Sequence, residues 1–517
     1  MAKFSTKKSI AKALRNRPDA RKNLEGGLSF EWSPKSRLYM RAATSLINEP
    51  TFYKNFVEGK IKGGFDDELI KEIHEVAKTD PEFILKLAYY ARNDLYLRSV
   101  PILLIGEASQ IPECKPYLRK WIPNIIKRAD EPCELLAYII NRFNRKAATN
   151  NNPLKKGIAE SLDQFDEYQF AKYNRKGSIK LKDVLRITHP KHKEIYSKIV
   201  NDSLSPPETW EVVISNFKEK GYEDKKTAWE YLIESNKLPY MASLRNLRNL
   251  LKENIDETKL KKALEYISNP DAVKKSKQLP FRFLSAYKEL DTYDIKHSSK
   301  ILDALEDAME LSLSNIPTLD GTTFMSSDVS GSMKSPLSRM SSVSYRELGI
   351  IFMCMADKFC DESYISIFGS KFSPVTTTKR SGILENARRI SDLDSGCSTN
   401  GYKVIEYLNN KKLSVDRIMI YTDMEMYNDK YDGNQFVDVW KKYKSSVNSK
   451  AKLYIFNLAA YAEPMVPEDD QDVCIISGWS ENIFKYIQLL EKDKTDIIKL
   501  IENETPRKAI PGKAKNN

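Results

Sequence analysis

The sequence predicts two unlike parts: an all-α run of stacked antiparallel helix pairs, an α-solenoid, followed by an α/β part built on a doubly wound parallel sheet. Three observations predict this. From about residue 30 to 310, apolar residues recur at helical spacing in segment after segment, and the short connections often carry Pro, Asn or Asp. After about residue 316, apolar runs of strand length alternate with helical runs, the pattern of a parallel sheet covered on both faces. Charge divides near the same place. Residues 1–300 hold 56 Lys and Arg against 40 Asp and Glu, a net charge of +16, whereas residues 301–517 hold 27 against 31, or −4.

Taken in order, residues 1–20 read as a flexible basic arm and residues 21–315 as the helical part. Asp66-Asp67-Glu68 opens a helix that runs through Ile70, Ile73, Val76 and Ala77, and Pro81 starts another with Phe83, Ile84, Leu87 and Tyr90 on one face. Further helices are predicted at 115–128, 132–144, 206–218, 224–235, 240–252, 257–268 and 298–313, with no strand-like alternation between them. Residues 316–502 form the sheet part. Its strands are predicted at Phe324–Val329, Tyr364–Gly369, Arg417–Asp423, Lys452–Leu458 and Val473–Ser477, with helices at 342–359, 383–393, 400–410, 435–447 and 481–494. The tail, 503–517, carries Pro506, Pro511, Lys508, Lys513 and Lys515 and is expected to be disordered.

Composition bounds the function. A chain of 517 residues, 41% hydrophobic and 30% charged, is ordinary for a globular protein of more than one domain. No run approaches the roughly 20 apolar residues that span a bilayer, and the basic N-terminus has no apolar core behind it, so no membrane association and no signal peptide are expected. Cys114, Cys133, Cys354, Cys360, Cys397 and Cys474 are scattered without zinc-ribbon spacing and read as reduced thiols of a cytoplasmic protein. The basic first part suits a polyanion partner; the alternative is a merely solvated surface.

Two stretches carry chemistry. The first is Asp328-Val329-Ser330-Gly331-Ser332, an Asp-x-Ser-x-Ser at the tip of a predicted strand. A carboxylate followed by alternating hydroxyls can converge on one hard cation such as Mg²⁺, which prefers oxygen ligands and keeps some waters; by itself the pattern is equally an ordinary polar turn. Two later pieces join it: Ser395-Gly396-Cys397-Ser398-Thr399-Asn400, which places Thr399 in a loop before a helix, and Arg417–Asp423, a buried strand ending in a carboxylate. Asp328 and Asp423 both fall at strand carboxyl ends, where ligands of such sheets sit. Together the three pieces resemble the metal-ion-dependent adhesion site of von Willebrand factor A domains, a Rossmann-like fold. The resemblance implies a divalent cation, Mg²⁺ by ligand type, held by Asp328, Ser330, Ser332, Thr399 and Asp423. Ser398 stands where the family usually has the second Gly of Gly-Gly-Thr.

The second stretch is residues 141–200, with 14 Lys or Arg against 6 acids. It contains Asn141-Arg142-Phe143-Asn144-Arg145-Lys146, Lys172-Tyr173-Asn174-Arg175-Lys176, and Lys182-Asp183-Val184-Leu185-Arg186-Ile187-Thr188-His189-Pro190-Lys191. Cations suit phosphates, and interleaved aromatics suit unpaired bases; the alternative is a solvated face with Tyr173 in the core. With Leu244-Arg245-Asn246-Leu247, Leu279-Pro280-Phe281-Arg282-Phe283-Leu284 and the closing A domain, these segments resemble the Ro autoantigen family, whose helical part is the TROVE module. The resemblance runs from about 25 to 495. It implies a monomeric ring of HEAT-like helical repeats closed by the A domain. Y-like small noncoding RNA would bind outside the ring, and single-stranded 3′ ends of misfolded or fragmentary RNA inside it. It also allows a 3′ exoribonuclease partner. The family's RNA-binding positions carry over to Lys172, Lys176 and His189. Arg175, Arg186, Arg142, Arg145 and Lys146 are added on charge. His189, before a Pro, could also simply cap or pack. His74, His189, His192 and His297 show no nucleophile or metal-hydrolase spacing, so a non-enzymatic RNA-binding protein is expected. The runner-up is a scaffold whose A domain captures an acidic partner, and a metal-dependent nuclease comes third, since two-metal nucleases cluster more carboxylates.

Overall fold

A computed structural model describes residues 14–23, 27–44, 67–174, 177–205, 209–278, 280–291, 298–313, 316, 318–337, 343–378, 380–426, 435–459, 463–478, 482–493 and 496–506. The chain divides into two compact units: Pro34–Thr209 with Thr495–Asn517, and Met1–Ser33 with Trp210–Lys494.

The first unit is helical: α1 (Pro34–Thr44), α2 (Asp67–Ala77), α3 (Pro81–Asn93), α4 (Ser99–Ala108), α5 (Lys115–Ile125), α6 (Glu131–Arg142), α7 (Arg145–Thr149), α8 (Asn152–Ser161), α9 (Glu167–Tyr173), α10 (Leu181–Thr188) and α11 (Glu194–Val200). Start signals sit where helices begin. Asp80 accepts from Phe83 N with Pro81 in the first turn of α3, and Asp166 and Gln169 form a reciprocal capping box at α9. Phe83, Ile84, Leu87 and Tyr90 are all buried, as their spacing predicts. The apolar pattern does not reveal α4: Ser99–Ala108 is buried on every side, so it lacks the one-sided pattern that marks a surface helix. It packs against α3 and α6. The approach is so close that a Cβ on Gly106 would lie 2.3 Å from the Tyr138 ring, which only glycine allows. The short helices α7 to α11 fall inside the basic stretch, where the periodic signal is weak. A C-terminal helix, Ile497–Glu502, packs on α1 and α3, and Lys35 bridges Asp80 (2.6 Å) and Glu502.

The second unit begins with a small antiparallel pair, β1 (Ala20–Lys22) and β2 (Leu28–Phe30), which the all-α reading of residues 21–315 does not include. Of the arm assigned to residues 1–20, residues 14–20 are described, and they are tied down: Leu14 is buried, and Arg17 pairs with Asp19 (2.9 Å) and Asp469 (3.0 Å). Phe30 N donates to Pro464 O (2.8 Å) and Trp32 Nε1 to Val466 O (2.9 Å). Helices α12 (Trp210–Ser215), α13 (Lys225–Glu234), α14 (Tyr240–Lys252), α15 (Glu257–Ile267), α16 (Pro270–Ser276), α17 (Pro280–Asp291) and α18 (Ser298–Ser312) follow. The sheet part comprises β3 (Leu319–Asp328), α19 (Tyr345–Phe359), β4 (Cys360–Phe368), β5 (Phe372–Val375), α20 (Ile383–Ser391), α21 (Tyr402–Lys411), β6 (Arg417–Thr422), α22 (Gln435–Ser446), β7 (Lys452–Asn457), β8 (Val473–Ser477) and α23 (Asn482–Asp493). Strand order is β5-β4-β3-β6-β7-β8, parallel except for the antiparallel edge strand β5. The sequence does not announce β5, which is four residues long and contains Pro374. The order reverses between β3 and β6, so their carboxyl ends flank the switch-point crevice.

Within this unit α18 packs on α20. The Glu306 carboxylate accepts from Leu384 N (2.8 Å) and Glu385 N (3.3 Å) at the start of α20. A Cβ on Gly382 would lie 2.0 Å from Glu306 Cδ. Glu306→Ala and Gly382→Ala should therefore each cost about 1 kcal/mol, as loss of a cap does, and the double variant no more than the worse single. Thermal melts check this; strictly additive losses would mean that the two residues do not act through the same bonds.

Among the described residues no helix is long and apolar enough to cross a membrane. Cys114, Cys133, Cys354 and Cys360 are buried thiols and Cys397 is exposed. Residues 507–517 of the tail, like residues 1–13 of the arm, lie outside the described residues.

Candidate nucleic-acid interface and candidate metal centre

Strands β3 and β6 are hydrogen-bonded neighbours, with Ser327 opposite Tyr421, so their carboxyl ends bring Asp328 beside Thr422 and Asp423. Asp328, Ser330 and Asp423 are completely buried. Asp328 Oδ1 accepts from Ser330 N (2.9 Å) and Oδ2 from Thr422 Oγ1 (2.7 Å), while Ser330 and Ser332 Oγ atoms lie 3.4 Å apart. The loop of Thr399, itself buried, is tied to this turn, where Gly331 N donates to Cys397 O (2.9 Å), and to the end of β4, where Asn400 N donates to Gly369 O (3.1 Å). Burial, and after it the charge of Asp423, pushes the Asp328 carboxyl up to about 7, against the hydrogen bonds from Ser330 and Thr422.

This donor set suits a hard cation. Two buried carboxylates repel each other unless a positive charge sits between them. Adjacent ligands of Mg²⁺, at about 2.1 Å from the ion, lie roughly 3 Å apart, close to the spacing of the two serine hydroxyls. Among the described residues no three His, Cys, Asp or Glu side chains gather as a metal cluster, so a cation here depends on the hydroxyls. Thr422 is the residue that sequence reasoning misses. Its hydroxyl orients Asp328 and accepts from Met424 N (3.1 Å). The Thr-Asp pair at the strand end is its only signal.

The basic residues lie in the other unit. Helix α10 packs on α6, α7, α8 and α11, which groups Arg186 and His189 with the segment carrying Arg142, Arg145 and Lys146. Arg145, Lys146, Arg186 and His189 are exposed. His189 closes α10 in the left-handed conformation, φ 49°, with its N–H on Leu185 O (3.0 Å), so its backbone is a cap while its ring faces solvent. Arg142 is committed elsewhere: its Nε pairs with Glu107 Oε1 at 3.1 Å, a carboxylate only 1% exposed that also accepts from Tyr138. Lys172, half-buried at the end of α9, stands over the Tyr168 and Tyr173 rings. Arg175 and Lys176 lie outside the described residues. Several neighbouring lysines are paired, Lys193 with Asp163 (2.6 Å) and Lys198 with Glu167 (2.9 Å), which narrows the cationic surface to fewer residues than composition suggests.

Comparison with known proteins agrees with this architecture. The TROVE domain model matches residues 48–204 and 201–330, and the Ro60 vWA domain model matches residues 323–490. The crystal structure of the Deinococcus radiodurans RO (RSR) protein superposes with a TM-score of 0.59 at 17% identity, covering 87% of this chain and 98% of that one. At that identity the likeness concerns the fold. Telomerase protein component 1 of Rattus norvegicus is 26% identical over 318 residues and that of Mus musculus 25% over 311, each match covering 44% of this chain. The chain spans only 12% of the length of either relative. With the TROVE match running over more than half of its length and the vWA match completing it, the chain belongs to the Ro family of TROVE-domain proteins.

Proposed function

We propose that the protein is a non-enzymatic RNA-binding protein of Ro type, acting in the cytoplasm in quality control or processing of noncoding RNA. Its ligands are a Y-like small RNA and misfolded or fragmentary RNAs with single-stranded 3′ ends, delivered where appropriate to a 3′ exoribonuclease. Family membership sets this reading. The observations that carry it are the exposed cations Arg145, Lys146 and Arg186 with the exposed His189 on the packed helices α7 and α10, and, on α9, Lys172 beside two tyrosine rings. Phosphates bind the cations and release counterions; unpaired bases find the rings.

The sheet unit would hold one divalent cation, Mg²⁺ by ligand chemistry, through Asp328, Ser330, Ser332 and Thr399, with Asp423 direct or through water. When bound, the ion supplies an open position for a carboxylate of a protein partner. The buried Asp328–Asp423 pair favours this second, scaffold role, which is compatible with the first.

The test is a fluorescence-anisotropy titration of structured RNA with and without a single-stranded 3′ tail. The tailed RNA should bind about fivefold to a hundredfold more tightly, as one stacked base would provide, and both affinities should fall steeply with salt. Equal affinity with a flat salt response would sink the reading.

A further inference from the structure

We infer that α9 and the turn before α6 form a base-stacking platform made by Tyr168, Lys172, Tyr173 and Arg128, which takes an unpaired nucleotide and its phosphate. The inference rests on the RNA-binding reading and adds to Lys172 and Tyr173 two residues that the motifs do not contain, Tyr168 and Arg128. Tyr168 is 52% exposed, more than any other large hydrophobic side chain among the described residues. It is not on a loose segment. The capping box fixes the start of α9, and buried Phe170 packs edge-on against Phe165 and Tyr196 from the opposite side.

Four residues on from Tyr168, the Lys172 ammonium lies 5.8 Å from the Tyr168 ring centroid and 5.6 Å from that of Tyr173. The Arg128 guanidinium lies 4.4 Å from the Tyr173 centroid. Its orientation is preset: Nε and Nη2 donate to the two oxygens of Asp130 at 3.1 and 2.8 Å, and Asp130, 5% exposed, is also held by Arg98 at 3.0 Å. Cations and rings thus alternate in one array. A nucleotide matches it part for part, with the phosphate on Lys172 and the base on a ring or on the guanidinium plane. A plain anion would use the cations and leave the exposed Tyr168 ring without a role.

The test uses the full chain and an RNA with a short 3′ tail, intact or abasic. Tyr168→Ala should weaken binding of the intact tail by about fivefold to a hundredfold with an unchanged salt slope, and Tyr168→Phe should stay within about twofold of the parent, since the ring face suffices. The abasic tail should bind the parent no better than the intact tail binds Tyr168→Ala. Parent-like affinity in Tyr168→Ala, equal losses in the Ala and Phe variants, or a loss that disappears when the salt slope is corrected would each overturn the platform and leave RNA binding standing. Failure of the parent itself to bind RNA would instead overturn the underlying reading, and the platform with it.

Discussion

Replacing Asp328 with asparagine should raise the melting temperature of the sheet unit in chelator at pH 8, and should abolish the further rise that Mg²⁺ or Mn²⁺ gives the parent. Both halves follow from one site. The Asp328 carboxyl is pushed from an ordinary 3.8 to about 7, first by burial and then by Asp423. A carboxyl whose folded-state pKa is raised binds a proton that the unfolded chain has already released. The metal-free protein therefore loses stability as pH climbs from about 4 to about 7, and the loss is complete above that. At roughly 1.4 kcal/mol per unit, the penalty is at most about 4 kcal/mol. Asparagine keeps the shape and carries no charge, so it should recover about 2–4 kcal/mol, or about 3–6 °C for a unit of this size. In the parent a cation relieves the same penalty and adds binding energy, about 2.7 kcal/mol at a hundredfold excess over Kd. Calorimetric or fluorescence melts of parent and Asp328→Asn, each with chelator and with metal at pH 5 and 8, separate the effects. An equal metal shift in both proteins would remove Asp328 from the site.

How far the sequence could be read differs between the two units for physical reasons. In the sheet, β6, β7 and β8 are largely buried and stand out as apolar runs, whereas in β3 only the carboxyl-terminal half is fully buried. β5 is an edge of four residues with a proline, and β1 and β2 have three residues each, too short to show alternation. Asp328, Ser330 and Ser332 are legible because one turn carries all three. Thr422 passes unnoticed because its partner is 94 residues away. The helical unit hides more. Arg142 has the composition of an RNA-binding residue, yet its charge serves Glu107, 35 residues upstream. Arg128 lies in none of the quoted basic segments, yet it is locked between Asp130 and the Tyr173 ring. Spacing along a helix reveals which face is buried. It does not reveal which cations are already neutralised by acids on other helices, and that separates the candidate RNA surface from the rest of the +16 charge.

Substitutions at Lys172, Lys176 and His189 should weaken binding of tailed RNA through two separable effects. The lysines act on phosphate. Lys172→Ala with Lys176→Ala should lower the slope of log K against log salt by about one to two units, near 0.7–0.9 for each phosphate no longer neutralised. The histidine acts through its ring, and its backbone imposes a choice of variant. At φ 49° residue 189 sits in the left-handed region, where every L residue, histidine included, carries Cβ strain and where Asn, Asp and His occur more often than alanine. Asparagine adopts that conformation readily, so His189→Asn removes the ring and keeps the cap. A stacked or hydrogen-bonded ring displaces no counterion. His189→Asn should therefore leave the slope unchanged and lower affinity by about 1–3 kcal/mol at every salt concentration. His189→Asn should melt at or slightly above His189→Ala, because asparagine takes the left-handed conformation more readily than alanine. Anisotropy titrations at several salt concentrations on the parent, His189→Asn, the lysine double and the triple variant read both effects, and melts of the two histidine variants read the third. Parent-like affinity and slope in all of them would place the RNA surface elsewhere on the helical unit. A slope change in His189→Asn equal to that of one lysine would make residue 189 a phosphate ligand and remove it from base recognition.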